Sequence, residues 1–449
     1  MAEFDQAAGT SDNGGVAYRL LQRVVAVRPE EMRAVFWCWL YIFAVLSSYY
    51  IMRPMRDQMG VAGGVKNLPW LFTGTLTAML VLNLPFAYLV KKLPRSRFIA
   101  LTYRFFAVNI LLFAAALHVA HADQTVWIGR VFFIWASVYN LFVVSVFWQL
   151  NVDLFSAEQG KRLFGFIAAG ATIGAIAGSA ITASLARHVS ATLLLIGAAL
   201  LLEVAVFGAT RLGRLSPSLH RRPAAARESE TQEERPMGGS IIAGITHAVR
   251  SPYLLSVSAF MLLFAITSTF LYFQQADIVS HSFADRGAQT SFFATVDLAV
   301  NVLTLIVQLF FTGRIVLLLG VALALALLPA LTMVGFAVLA ITPSLGTIAV
   351  FQVLRRAGDY AIARPTREVL FTVVPREDRY KTKGFIDTFV YRLGDQVGAW
   401  SVDLLHAVGA LAATIAAIAI AALWLINGLW LGRRQKSLEA LAARAGAGP

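Results

Sequence analysis

Long apolar runs recur along the chain, as at 71–90, 98–117, 191–210 and 315–337. Each is long enough to cross a bilayer as a helix. Backbone groups in lipid must find their hydrogen bonds within the segment, which predicts helices. A porin-like barrel would alternate apolar and polar positions over short stretches, and these runs do not. The pattern predicts twelve spans, at 34–51, 68–90, 98–119, 126–150, 163–186, 190–210, 252–273, 290–311, 315–337, 340–360, 384–402 and 408–431. Between the sixth and seventh lies 211–250, rich in Arg, Glu, Pro and Ser and without strong apolar periodicity. The expected fold is an all-α integral membrane protein, with a tail at 1–33, a six-helix bundle at 34–210, a cytoplasmic linker at 211–250, a second bundle at 251–431 and a tail at 432–449. Two bundles rocking about a site between them is the plan of many secondary transporters.

Charge sets the orientation. Arg and Lys gather in the N-terminal tail, around Lys91, Lys92, Arg95 and Arg97, at Lys161 and Arg162, in the linker, and at Arg433, Arg434 and Lys436. With twelve spans these all face one side, while the loops near 120–125, 338–343 and 403–407 have no Lys or Arg. The positive-inside rule then places both termini in the cytoplasm. Arg53, Arg56 and Lys66, at the expected outer mouth of the first span, break the pattern. Composition agrees with a membrane protein: 58% of residues are hydrophobic and 14% charged, against about 25% charged in soluble domains. The net charge of +13 follows from cytoplasmic Lys and Arg, which attract anionic lipid, and is not read as nucleic-acid binding. Cys38 is the only cysteine and the seven histidines are scattered, so neither an intrachain disulfide nor a metal site is expected. Residues 1–18 are polar, carry Asp5 and Asp12, and lack the basic and apolar regions of a cleaved signal.

Polar groups interrupt the apolar pattern in a few places. In YYIMRPMRD, Tyr49 to Asp57, Pro54 is expected to end or kink the first helix. Arg56 either meets an anion, which a guanidinium matches as a fork, or pairs with Asp57 while Arg53 anchors at the interface. Asp153 stands close to Glu158, Lys161 and Arg162; it is either a gating carboxylate or their partner at the inner surface. Gly170, Gly174 and Gly178 place small residues on one helix face and predict close packing. The Walker pattern is absent, which excludes a P-loop ATPase engine. Asp297, Asn301 and Gln308 form a polar stripe, so Asp297 is a better cavity candidate than Glu203 in the sixth span or Arg104 in the third. The richest stretch runs from Arg355 to Asp395 and holds Asp359, Arg364, Arg367, Glu368, Lys381, Lys383, Asp387, Arg392 and Asp395. Ionisable groups at membrane depth face a cavity or pair with each other. Asp387 and Arg392 are expected as a cavity-lining pair, and Lys383 is either a phosphate ligand or an inner-surface lysine. No nucleophile, base and orienting group come together, so neither an enzyme nor a cofactor is expected.

A weak internal repeat links the halves. Leu154 to Gly178 and Leu370 to Gly398 each run from an LF pair through a charged turn to a GF pair, at 165–166 and 384–385, followed by small residues. The second copy, RPTREVLFTVVPREDRYKTKGFIDTFVYRLGD, also resembles a segment of the ATP/ADP translocase-like family of bacterial and plastid nucleotide transporters. Pro365, Thr366, Arg367, Glu368, Pro375, Lys381, Ile386, Asp387, Arg392 and Gly394 match it. Arg53, Arg56 and Asp57 are similar to the family's first-span motif, with arginine for lysine at 56. Phe147, Trp148, Asp153, Glu158, Lys161 and Arg162 approximate another. One departure is Asp395, which stands where the family has a cation.

The resemblance implies twelve helices in a fold like the major facilitator superfamily, in a bacterial inner membrane. It implies exchange of ATP for ADP or nucleotide import, in some members with protons. It makes Arg56 and Lys383 phosphate contacts and Asp153 an acidic partner or gate. The expected function is a secondary transporter moving a nucleotide or another phosphorylated anion. Arg56, Lys383, Arg392 and Asp387 are the substrate-binding candidates. Asp153, Asp297, Glu203 and Asp395 are the coupling or gating candidates. The rival readings are a proton-coupled transporter or exporter of another solute, in which Asp297 and Glu203 titrate, and a non-transporting scaffold or sensor.

Overall fold

A computed structural model describes residues 27–29, 31–92, 95–219, 251–374, 382–409 and 411–446. Most of the expected N-terminal tail, residues 220–250 of the expected linker, and Lys381 lie outside the described residues. The first half comprises α1 (Met32–Ala62), α2 (Leu68–Lys92), α3 (Arg95–Val119), α4 (Ala122–Leu154), α5 (Ala157–Leu185) and α6 (Ala191–Leu219). The second comprises α7 (Pro252–Ser282), α8 (Arg286–Phe310), α9 (Thr312–Ile341) and α10 (Leu345–Gly358). A π-helical turn, Asp359–Ala363, carries α10 into α11 (Arg364–Leu370). A second π-helical turn, Ile386–Val390, leads into α12 (Tyr391–Val408), and α13 (Ala412–Gly446) follows.

Nine of the described helices are long and apolar enough to cross a membrane. The other three expected spans fall on α2, on α10 with its continuation, and on α12. The last two carry much of the charge described below.

Several expected boundaries move. The first span was expected to stop at residue 51, but α1 runs through Pro54 to Ala62. A proline removes one backbone donor, and here Met52, Met55 and Met59 are buried around it. Arg53 and Arg56 therefore sit inside a membrane helix and are not charges of an outer loop. The apparent exception to the charge rule at those two residues disappears. The helices α6 and α13 also continue past the expected starts of the linker and the C-terminal tail.

Glycines set the closest packing in each half. A Cβ on Gly174 would lie 2.4 Å from the Phe43 carbonyl oxygen, and one on Gly178 would lie 2.4 Å from that of Ser47. The glycine face of α5 thus lies against α1, and Ser47 Oγ donates to the Gly174 oxygen at 3.0 Å. In the second half, a Cβ on Gly394 would lie 2.6 Å from Ala265 Cβ, and one on Gly398 would lie 2.9 Å from Thr269 Cβ. Here α12 lies against α7. The two glycine pairs occupy matching places after the GF landmarks, offset by a single residue. The π-helical turn at Ile386–Val390 holds one residue more than an α turn, which accounts for the offset.

Candidate functional site: a charged cavity between the halves

A cavity of about 250 Å³ opens between the two halves of the chain. Helix α1 contributes Arg53, Arg56 and Asp57, and α8 contributes Asp297. Arg355 and Arg356 come from α10, and Asp359 with Tyr360 from the π-helical turn. Arg364 of α11 and Arg392 and Asp395 of α12 complete the charged wall. These are six guanidiniums and four carboxylates, so two positive charges are in excess.

The groups form a connected set. Arg56 Nε and Nη2 donate to Asp57 Oδ1 at 3.0 and 2.6 Å. Tyr272 of α7 donates to the same oxygen at 3.1 Å, joining the halves. Arg356 Nη1 donates to Asp297 Oδ1 at 2.6 Å, and Arg53 Nη1 lies 3.6 Å from that atom. Arg364 Nε donates to Asp359 Oδ2 at 2.9 Å, and Arg392 Nη1 to Asp395 Oδ2 at 3.1 Å. Arg355 differs from the others. It is buried and donates to neutral acceptors: Thr332 Oγ1 at 3.1 Å, Thr267 Oγ1 at 3.0 Å and the Phe264 carbonyl at 3.2 Å. Several rings are capped by cations. Arg56 lies over Phe133, Arg355 over Phe264 and Arg364 over Tyr360, at 5.1, 5.1 and 4.4 Å.

The cavity is closed at the end where α1 finishes. Gln58 donates to Gln289 at 3.4 Å, and Ser291 to the Ala183 carbonyl at 2.8 Å. Thr73 donates to Gln396 at 2.9 Å and accepts from Trp400 Nε1 at 3.3 Å. Trp70 meets Trp400 edge to face with ring centroids 5.0 Å apart. A Cβ on Gly287 of α8 would stand 2.5 Å from the Ala186 carbonyl at the end of α5. With the Tyr272–Asp57 bond on the cavity wall, these are the hydrogen bonds between described residues of the two halves.

No protein-family model matches the chain. It is 22% identical to ADP,ATP carrier protein 1 of Chlamydia muridarum (strain MoPn / Nigg), over 93% of each chain. Among solved structures it is similar to a POT family transporter in complex with 5-aminolevulinic acid, at 12% identity and a TM-score of 0.60, covering 90% of this chain and 96% of that one. It is also similar to a bacterial homologue of the human lysosomal transporter Spinster, captured inward-facing and unoccupied. That match has 12% identity and a TM-score of 0.54, and covers 93% of this chain and 98% of the other. The chain is all-α and multi-pass, and it shares the fold of these solved transporters.

Within this fold, four of the residues singled out from sequence meet on the cavity wall: Arg56, Arg392, Asp297 and Asp395. Asn301 donates to the Asp297 carbonyl at 2.8 Å, and Gln308 reaches the Tyr360 carbonyl at 3.2 Å. The expected pair of Asp387 with Arg392 does not form. Arg392 bonds Asp395, three residues on and so on the same helix face, while Asp387 lies 4.0 Å from Arg367. Lys383 is off the cavity wall and pairs with Glu368 at 2.5 Å. Glu203 is also away from the cavity, 4.0 Å from Arg104, with both side chains largely exposed. Asp153 lies on the last turn of α4, and its side chain is outside the described residues.

The sequence reading missed Arg355 and Arg356, and it treated Arg53 as an interfacial anchor. The signal for the first two was an adjacent Arg pair in the last turn of an apolar span. It was lost because that span was expected to end at 360, whereas helix continues to Leu370.

At the opposite end, Glu31 fastens α5 to the start of α1. It accepts from Arg162 Nη2 at 2.9 Å, Gln159 Nε2 at 2.9 Å and the Arg28 backbone at 3.0 Å. Burial alone pushes the Glu31 carboxyl up, but these hydrogen bonds and the Arg162 charge outweigh it and hold the pKa below the ordinary glutamate value.

Proposed function

We propose that this chain is a secondary transporter that moves or exchanges a phosphorylated anion, a nucleotide of the ATP/ADP kind or a smaller relative, by alternating access of two six-helix bundles with twelve spans. The observation that carries the reading is the cavity between the halves, with six arginines against four carboxylates. Guanidinium is suited to phosphate because its planar fork matches the oxygens and keeps its charge at any physiological pH. Arg56 and Arg392 are the substrate contacts among the residues named from sequence, and Arg53 and Arg356 join them. Lys383 and Asp387 stand off the cavity wall, and Asp297 and Asp395 are assigned to coupling. Closure at the end where α1 finishes is what one state of an alternating-access cycle requires. With the basic side cytoplasmic, that state faces inward. The resemblance to nucleotide transporters supports a nucleotide.

One observation favours the smaller anion. The cavity falls just below the ~300–1,000 Å³ usual for ligand pockets, and three of its rings are already capped by arginine.

The test is counterflow in proteoliposomes with labelled ATP, ADP and small phosphorylated metabolites. Saturable exchange that Arg356→Gln abolishes and Lys383→Ala preserves is the expected result. No uptake of any phosphorylated anion by folded, inserted protein would reject the reading and turn attention to proton-coupled solutes.

A further inference from the structure

A single carboxylate serves two guanidiniums that come from opposite halves of the chain. Asp297 of α8 accepts from Arg356 of α10 at 2.6 Å and stands 3.6 Å from Arg53 of α1. Its second oxygen, Oδ2, is buried without a hydrogen-bond partner, and so are Arg53 Nε and Arg356 Nη2. Buried polar atoms are normally satisfied, and leaving them bare is costly. Two donors thus await an acceptor beside a carboxylate that uses only one oxygen.

We infer that Asp297 is an internal stand-in for the substrate, and that the phosphate group of the cargo takes Arg53 and Arg356 by displacing it. This rests on the anion-transport reading and deepens it, by naming the phosphate subsite and its competitor. A phosphate dianion carries enough oxygens to satisfy both arginines at once. Its two charges also equal the excess on the cavity wall. Because the arginines belong to different halves, the cargo bridges them as Asp297 does, and the released Asp297 keeps its site beside the exchange. A purely structural Asp297 would instead be needed to hold the two arginines whatever the cargo.

The two roles give opposite signs. Phosphate and ATP binding are measured by calorimetry on the purified full-length protein, as wild type and as Asp297→Asn, Asp297→Glu and Arg356→Gln. Removing a competing charge should make Asp297→Asn bind both probes about tenfold tighter or more. Asp297→Glu should stay near wild type, and Arg356→Gln should weaken binding about tenfold or more. Thermal unfolding of Asp297→Asn should gain more from added phosphate than the wild type does. Equal or weaker binding by Asp297→Asn overturns the inference and leaves the transport reading standing. So does a variant that fails to fold even in saturating phosphate. Binding of neither probe by any of the proteins overturns the anion reading and this inference with it.

Discussion

At the scale of single residues, the cavity separates arginines by what holds them. Arg355 rests on two hydroxyls and a carbonyl, each met by a fixed N–H of a planar group. Lysine keeps the charge but has no such fork. Arg355→Lys should lower stability by about 1–3 kcal/mol, as expected when buried acceptors lose their donors. Thermal unfolding in detergent checks this, and an unchanged midpoint would show that the fork is dispensable. The chemistry of the site was partly legible in sequence, because charged residues in apolar helices are rare enough to stand out. That found Arg56, Asp297, Arg392 and Asp395. Partners were less legible: Asp387 and Arg392 stand five residues apart, whereas Asp395 lies three from Arg392 on the same helix face and takes it instead. Arg53 was misjudged because Pro54 reads as a helix end, whereas tertiary packing carries α1 through it.

At the scale of elements, the helices follow from apolar runs and the closest contacts follow from glycine. The four-residue glycine spacing of α5 was readable as a packing face, although its partner α1 was not. Gly174→Ala would push a methyl group against the Phe43 carbonyl at 2.4 Å. Overpacking of this kind should cost about 2 kcal/mol or more, measured as a loss of thermal stability. Gly165→Ala, with open space around it, is the control. The junction of α1 with α5 should also respond to pH. Since folding lowers the Glu31 pKa, its contribution is fully present above the unfolded value of 4.5 and fades as pH falls through the lower folded value. Glu31→Gln should therefore be less stable than wild type at neutral pH, and the gap should narrow in acid below that value. A constant gap would mean that the carboxylate charge is not what matters there.

At the scale of the whole molecule, the apolar runs predicted the spans, the charge pattern a basic side, and the internal repeat two related halves. Which end is shut depends on contacts between distant segments, such as Thr73 with Gln396, and no local pattern encodes those. The closed end offers a direct test of motion. Cysteines at positions 73 and 396 can be cross-linked once the buried Cys38 is replaced. Locking them should abolish transport while leaving anion binding intact, and reduction should restore activity. Full transport by the locked protein would place the moving gate elsewhere.

The imbalance of six guanidiniums and four carboxylates has an electrical consequence. Each elementary charge carried across the full membrane potential changes energy by about 2.3 kcal/mol per 100 mV. An empty carrier that reorients with two surplus positive charges at membrane depth is driven by voltage, whereas one holding a dianion is neutral and indifferent to it. In proteoliposomes, an imposed potential should then alter the rate of net uptake and leave one-for-one exchange unchanged.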